Sequence, residues 1–390
     1  MTAHVPSLLA VTDSPVWGAI ARNWALFSII LTISLLVVVP LLVLSKYVRI
    51  CLNILKDTEP PLFMGQSGFV PLSGEDRDFH TADGIRLRST IIPTPAKNPR
   101  GFILFAPEFK STRHSCARYC RPLLEAGYDI MTFDFRGHGD SANEENYHPR
   151  QWASDREVTD IMTAIAIAEE WLEHRDRPID MGLFGISRGA CAALLAAEHR
   201  ENIRAIVTDG AFSSDCTLEH FLKRWASIFA KVRVVAENHP PEFWRFLRWW
   251  VFHRAERSFK CRFPSVRKAL VRMLPRPILF IHGARDSHIP VNQSRLLYAQ
   301  AAQPRYLWIV PGAKHNQSVD VAAEDYAQHT VQFFDRFLAG ERHPSNLYYG
   351  ELIEGITASE REYHHISLDT ESADDDSLLV GAGAGEEDFD

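Results

Sequence analysis

The chain has only six cysteines in 390 residues, and none stands at a disulfide-framework spacing. A small, stapled secreted scaffold is therefore excluded. Cys116 and Cys120 lie four apart on an expected helix, but no neighbouring ligand-type residues complete a metal site. There is no internal repeat, which excludes solenoids and propellers. There is also no glycine-rich nucleotide fingerprint. Net charge is −7, and no recognition motif accompanies the one basic segment, so nucleic acid is not an expected partner. What the chain does have is 46% apolar residues, enough to bury a large core.

Between residues 73 and 338 the pattern alternates strand and helix. Asp83-Gly84 reads as a hairpin turn opening a sheet. Strands are expected over 101–107, 128–133, 179–184, 203–208, 277–281 and 306–310. The clearest helices are 152–174 and 321–338, where apolar residues recur at helical spacing. This predicts an α/β fold: a mostly parallel sheet with helices on both faces.

Three of these strands run into chemically loaded loops. The strand over 179–184 leads to Gly185-Ile186-Ser187-Arg188-Gly189 and then to an alanine-rich stretch. That is the strand–turn–helix setting of a nucleophile elbow. Flanking glycines remove the side chains that would clash around a strained serine. The next strand reaches Asp286, and the last reaches His315. A serine hydroxyl is a weak nucleophile at neutral pH. It needs a base, and the base needs a group fixing its tautomer. The order serine, acid, histidine supplies these as Ser187, Asp286 and His315. Without partners, Asp286 would read as a loop cap and His315 as one of 17 histidines.

Together these motifs resemble the α/β-hydrolase superfamily, in particular its monoacylglycerol-lipase-like and serine aminopeptidase S33-like serine hydrolases. Asp134-Phe135-Arg136-Gly137-His138-Gly139-Asp140-Ser141 is similar to the family's D-x-R-G-H-G-x-S loop. Gly283-x-x-Asp286-x-x-Ile289-Pro290 is similar to its acid loop, and Gly312-x-x-His315 to its histidine loop. The likeness covers about 73–338. It implies an α/β-hydrolase fold and a Ser187–His315–Asp286 triad acting through an acyl-enzyme, with no metal or other cofactor. The family usually carries His-Gly after its third strand, where this chain has Pro107-Glu108. Aligning the two puts the backbone N–H groups of Phe109 and Arg188 in the oxyanion hole, with Glu108 as the fallback for Phe109. Backbone donors tolerate a changed side chain. His138, with Asp134 and Asp140, reads as a structural loop beside the pocket rather than a metal site.

The remaining segments are appendages. Residues 24–44 form 21 residues without a charge. At about 1.5 Å per residue they span roughly 31 Å, enough for a single transmembrane helix. Pro40 is the only breaker, and the run exceeds a signal-peptide core. Trp17, Trp24 and Tyr47 would sit near the interfaces. Lys46, Arg49 and Lys56 follow the run while Arg22 precedes it, which places the catalytic domain on the cytoplasmic side. The domain plan is an N-terminal segment 1–56, a linker 57–72, a hydrolase domain 73–340 and an acidic, disordered tail 341–390. Residues 213–275 are expected to form a helical lid. They carry 13 Lys and Arg against five Asp and Glu, a net of +8, with interleaved aromatics. Such a surface suits either an anionic membrane interface or a solvated cap packed on the domain. The expected activity is hydrolysis of carboxylic esters or thioesters of lipophilic acyl groups at a membrane. A peptidase or acyltransferase on the same triad, or a non-catalytic scaffold, are the alternatives. Asn292-Gln293-Ser294 and Asn316-Gln317-Ser318 match the glycosylation acceptor pattern. The second abuts His315, so both are read as incidental.

Overall fold

A computed structural model describes residues 15–57, 70–229 and 240–340. Most of the expected linker, residues 230–239 of the expected lid and the acidic tail lie outside the described residues. The chain forms two compact units, Met1–Asp57 and Thr58–Asp390.

In the first unit, α1 (Pro15–Ile33), a π-helical turn (Ser34–Val38) and α2 (Val39–Asp57) follow one another without a break. The π turn has an identifiable cause. Pro40 has no backbone N–H to donate to the carbonyl four residues back. The ladder widens, and the Val39 N–H reaches back five residues to Ser34 O. The uncharged run expected as one helix is thus shared among three helical segments. Among the described residues no helix is long and apolar enough to cross a membrane. Much of the run is nonetheless exposed, including Trp24, Phe27, Ile30, Leu36 and Leu42.

The second unit is built on an eight-stranded sheet of order β1-β2-β4-β3-β5-β6-β7-β8. The strands are β1 (Glu75–His80), β2 (Arg86–Ile92), β3 (Gly101–Ala106), β4 (Tyr128–Phe133), β5 (Met181–Ile186), β6 (Ile203–Asp209), β7 (Ile278–Gly283) and β8 (Arg305–Val310). β1 and β2 pair antiparallel around the Asp83-Gly84 turn, where Gly84 takes a φ of 82°. β2 joins β4 antiparallel, and the remaining pairings are parallel. This is the α/β-hydrolase fold.

The central strands are apolar on both sides because both sides are covered. Phe105 faces α3 (Cys116–Glu125) and stacks on Tyr119 at 5.6 Å. Its strand neighbour in the opposite direction, Phe102, meets Trp171 of α4 (Asp155–Glu173) at 5.4 Å. Fully burying such a ring is worth about 2–3 kcal/mol in apolar transfer alone. Cys116 and Cys120 are buried thiols of this core.

Several boundaries differ from the sequence pattern for local reasons. α4 begins at Asp155 rather than at 152, because Ser154 is extended and closes a capping box with Glu157. β5 runs on to Ile186, since its pairing with β6 continues to Asp209 at the foot of the elbow. The last helix starts at Ala323 after a separate turn, Ser318–Val321, because Ala322 leaves the helical region at φ −132° and ψ 54°.

Between β6 and β7 the described chain is helical: α6 (Ser214–Phe229), α7 (Pro241–Phe259) and α8 (Val266–Arg272). α7 buries a stripe of Trp244, Leu247, Val251, Ala255 and Phe259. Arg248 of α7 pairs with buried Glu219 of α6 at 2.6 Å. On another side of α7, Phe246 and Trp249 are 44% and 58% exposed, with ring centroids 5.8 Å apart. The described aromatics of this segment therefore divide, Trp244 and Phe259 packing inward and Phe246 and Trp249 facing solvent.

Candidate active site

Ser187 occupies the sharp turn between β5 and α5 (Arg188–Ala197), with φ 51° and ψ −117°. For a residue with a Cβ this is a strained conformation. Its N–H is tied at 2.7 Å to Asp209 O, at the end of β6. Close backbone approach explains the glycines. A side chain at Gly189 would run into the carbonyl oxygens of Ala106 and Pro107, and one at Gly185 into the Ala190 backbone.

The loops after β7 and β8 bring the other two expected residues to this serine. His315 Nε2 lies 2.8 Å from Ser187 Oγ. On the other side of the ring, Nδ1 donates to Asp286 Oδ2 at 2.6 Å. This leaves the Nε2 lone pair aimed at the serine hydroxyl. Asp286 is itself held, since its Oδ1 accepts the backbone N–H groups of His288 at 2.9 Å and Ile289 at 2.8 Å. Burial alone would push this carboxyl up. His315, His282 and the donors around it outweigh that and hold it well below the usual carboxylate range.

The second row of the site was not legible in the motifs. His282, wholly buried on β7, places Nε2 3.3 Å from Asp286 Oδ2. His288 sits edge-on to His315, centroids 5.2 Å apart, and burial and then His315 push its imidazole down to about 4. Asp209 accepts from Ser318 Oγ and Tyr326 OH, each at 3.2 Å. Burial pushes its carboxyl up to about 6, against the pull of His282 and His315. Gly210, at φ 67°, leaves the space that the His315 ring fills. The one available signal for His282 is its place next to Gly283 before the acid loop. Nothing in the spacing says which way its ring faces.

Around the expected oxyanion donors the packing is dense. The Phe109 and Arg188 N–H groups donate to no other group among the described residues. The Arg188 guanidinium lies over the Phe109 ring at 4.8 Å and the Phe135 ring at 5.1 Å. It donates to Arg150 O at 3.0 Å and faces Glu157 at 3.6 Å, with both charged side chains fully buried. Glu108, the fallback, turns its carboxyl to the Ser115 hydroxyl at 3.2 Å, and burial pushes its pKa up.

The Arg136 loop is bound by protein groups throughout. Arg136 donates to Asp160 through Nε at 2.9 Å and to Asp83 at 2.8 Å. Asp134 pairs with Arg113 and accepts the Asp140 N–H. His138 accepts from Arg188 at 3.4 Å and donates to Arg136 O at 3.0 Å. Burial, then Arg188, push the His138 imidazole down to about 3. Both glycosylation-type patterns end in buried serines already engaged, Ser294 with His282 and Ser318 with Asp209.

Comparison with known proteins agrees with this architecture. The model of the family described as serine aminopeptidase, S33, matches residues 97–321, more than half of the chain. The uncharacterized protein YfhR of Escherichia coli O157:H7 is 26% identical over 271 residues, 67% of this chain and 81% of that protein. The lysophosphatidylserine lipase ABHD12 of Danio rerio is 27% identical over 188 residues, 47% of this chain and 42% of that protein. The Pyrococcus furiosus esterase Pf2001 superposes with a TM-score of 0.52 at 22% identity, covering 72% of this chain and all of that one. With its matched span and its sheet order, the chain belongs to the serine aminopeptidase S33 family, and so to the hydrolases of the α/β-hydrolase superfamily.

Proposed function

We propose that this protein is a membrane-anchored serine hydrolase cleaving carboxylic esters or thioesters of lipophilic acyl groups. The observation that carries this reading is the unbroken hydrogen-bond path from Ser187 Oγ through His315 to Asp286. Ser187 attacks the acyl carbonyl as His315 takes its proton, and Asp286 steadies the imidazolium that forms. The Phe109 and Arg188 N–H groups receive the developing oxyanion. His315 returns the proton to the leaving group, then activates water to release the acyl group. A relative named as a lysophosphatidylserine lipase favours esters. The family's aminopeptidase name keeps a peptidase, or an acyltransferase, as the second reading. The test is an acyl-chain series of soluble esters and thioesters set against aminoacyl amides. Rate should rise with chain length, with little amide cleavage; strong amide turnover without chain-length preference sinks the lipid reading.

The exposed apolar side chains of 24–44 support a tether, and the basic residues after it support a cytoplasmic domain. Residues 213–275 serve as the lid in this reading. Phe246 and Trp249 stand exposed on α7, the helix that also carries Arg245 and Arg257, which have no acidic partner among the described residues. Aromatic rings flanked by free cations fit an anionic bilayer surface. The full-length protein should stay with membranes through alkaline carbonate washing. In anionic vesicles, Phe246→Ser with Trp249→Ser should slow turnover of bilayer-borne esters several-fold and spare soluble ones. Release by carbonate removes the tether, and equal turnover removes the lid contact.

A further inference from the structure

We propose that His282 is a positioning residue: a second imidazole that shares the Asp286 carboxylate with His315 and fixes it for catalysis. The inference rests on the serine-hydrolase reading and adds a residue that the triad does not contain.

Four observations carry it. His282 lies on β7, in the sheet, with no exposed surface. Its Nε2 is 3.3 Å from Asp286 Oδ2, the same oxygen that accepts from His315 Nδ1. The same Nε2 lies 2.9 Å from Ile289 O, at the far end of the acid loop. Its Nδ1 is 2.7 Å from Ser294 Oγ on the helix Asn292–Gln300, while that hydroxyl is a longer 3.3 Å from Ala211 O.

These distances assign the protons. The Ile289 carbonyl can only accept, so Nε2 carries a hydrogen and offers it to Ile289 O with Asp286 Oδ2 beside it, while Ser294 Oγ, which donates to Ala211 O, meets the ring at Nδ1. Asp286 then has two backbone N–H donors on Oδ1, the His315 donor on Oδ2, and the His282 Nε2–H 3.3 Å from that same oxygen. His282 thus ties the acid loop to a sheet strand, whereas His315 arrives on a loop that has to meet it. A carboxylate free to swing on its Cβ bond would let the His315 ring tilt away from Ser187. Orientation of this kind acts on the chemical step and not on substrate binding. Burial alone would push the His282 imidazole down, but Asp286 and the Ile289 carbonyl hold it above its ordinary value, as expected of a ring fastened to an anion.

The test uses full-length protein in detergent, with a soluble ester and rates expressed per site titrated by a fluorophosphonate. His282→Leu should lower kcat about 10- to 100-fold, the range for a lost hydrogen bond to a charged group, with KM changed less than about twofold. His282→Gln, which keeps an N–H near the Nε2 position, should recover most of the rate. Ser294→Ala should cost about threefold alone and nothing further in the His282→Leu background, because both act through one ring. Wild-type kcat in His282→Leu, a loss appearing in KM, or additive losses in the double variant overturns the proposal. A proton spectrum of the Ser187→Ala protein separates this from the parent reading. Two downfield imidazole N–H resonances should be present, and His282→Leu should remove one and displace the other. If the wild type neither labels nor hydrolyses, the hydrolase reading fails, while the resonances still report whether the carboxylate is shared. A single resonance, or one unmoved by His282→Leu, rejects the sharing.

Discussion

Ser187→Ala should abolish fluorophosphonate labelling and lower kcat for ester hydrolysis about 10⁶-fold, the loss seen when a triad nucleophile is removed. The size follows from what is lost. Among the described residues, this hydroxyl is the one that lies 2.8 Å from His315 Nε2, at the head of the proposed proton path. The proposed oxyanion donors cannot form an acyl-enzyme by themselves. The fold should tolerate the change, since Ser187 is held through its backbone N–H to Asp209 O, and alanine keeps that bond. Unchanged thermal unfolding would separate loss of chemistry from loss of structure. Labelling of the variant at the wild-type rate would place the nucleophile elsewhere and leave the fold alone standing.

Asp286→Asn should lower kcat about 10⁴-fold, even though the two side chains have nearly the same shape. The reason lies in the asymmetry of the site. Oδ1 faces two backbone N–H groups, from His288 and Ile289, so the amide oxygen of asparagine is held there. The amide NH₂ must then face His315 Nδ1 and His282 Nε2, where two N–H donors stood opposite a carboxylate. To avoid donor against donor, His315 moves its hydrogen to Nε2 and can no longer accept from Ser187. The same substitution has a signature in stability. Asp286 is held below its ordinary value of 3.8 in the folded state, so it contributes stability that is present above that value. This contribution is lost as pH falls below 3.8, and its loss should disappear in Asp286→Asn. A denaturation series across acidic pH reads this directly. An asparagine variant with near wild-type kcat would show that His315 needs no orienting carboxylate.

The sheet was legible because its strands repeat an apolar pattern bounded by glycine loops. The boundaries that slipped did so where one side chain overrides a pattern, as Ser154 does in capping α4. Pro40 was legible as a breaker, but its outcome was not. Whether proline kinks a helix or widens it into a π turn depends on how the backbone around Ser34 and Val39 gives way. The lid shows the same limit. Its aromatics and arginines were countable, yet only packing separates buried Trp244 from exposed Trp249.

At the site, Ser187, Asp286 and His315 could be nominated because each follows a strand and a glycine in a fixed chemical order. That order is a local property, written in neighbouring residues. The sequence alone therefore determined the fold class and three side chains worth joining. Their approach to 2.8 and 2.6 Å was decided by the parallel sheet, which brings the ends of β5, β7 and β8 to one edge. The facing of His282 toward Asp286, the burial of Asp209 and the clasp of Arg188 on Phe109 also came only with tertiary structure. Side-chain direction across a sheet edge depends on residues far apart in the chain, and no local spacing encodes it.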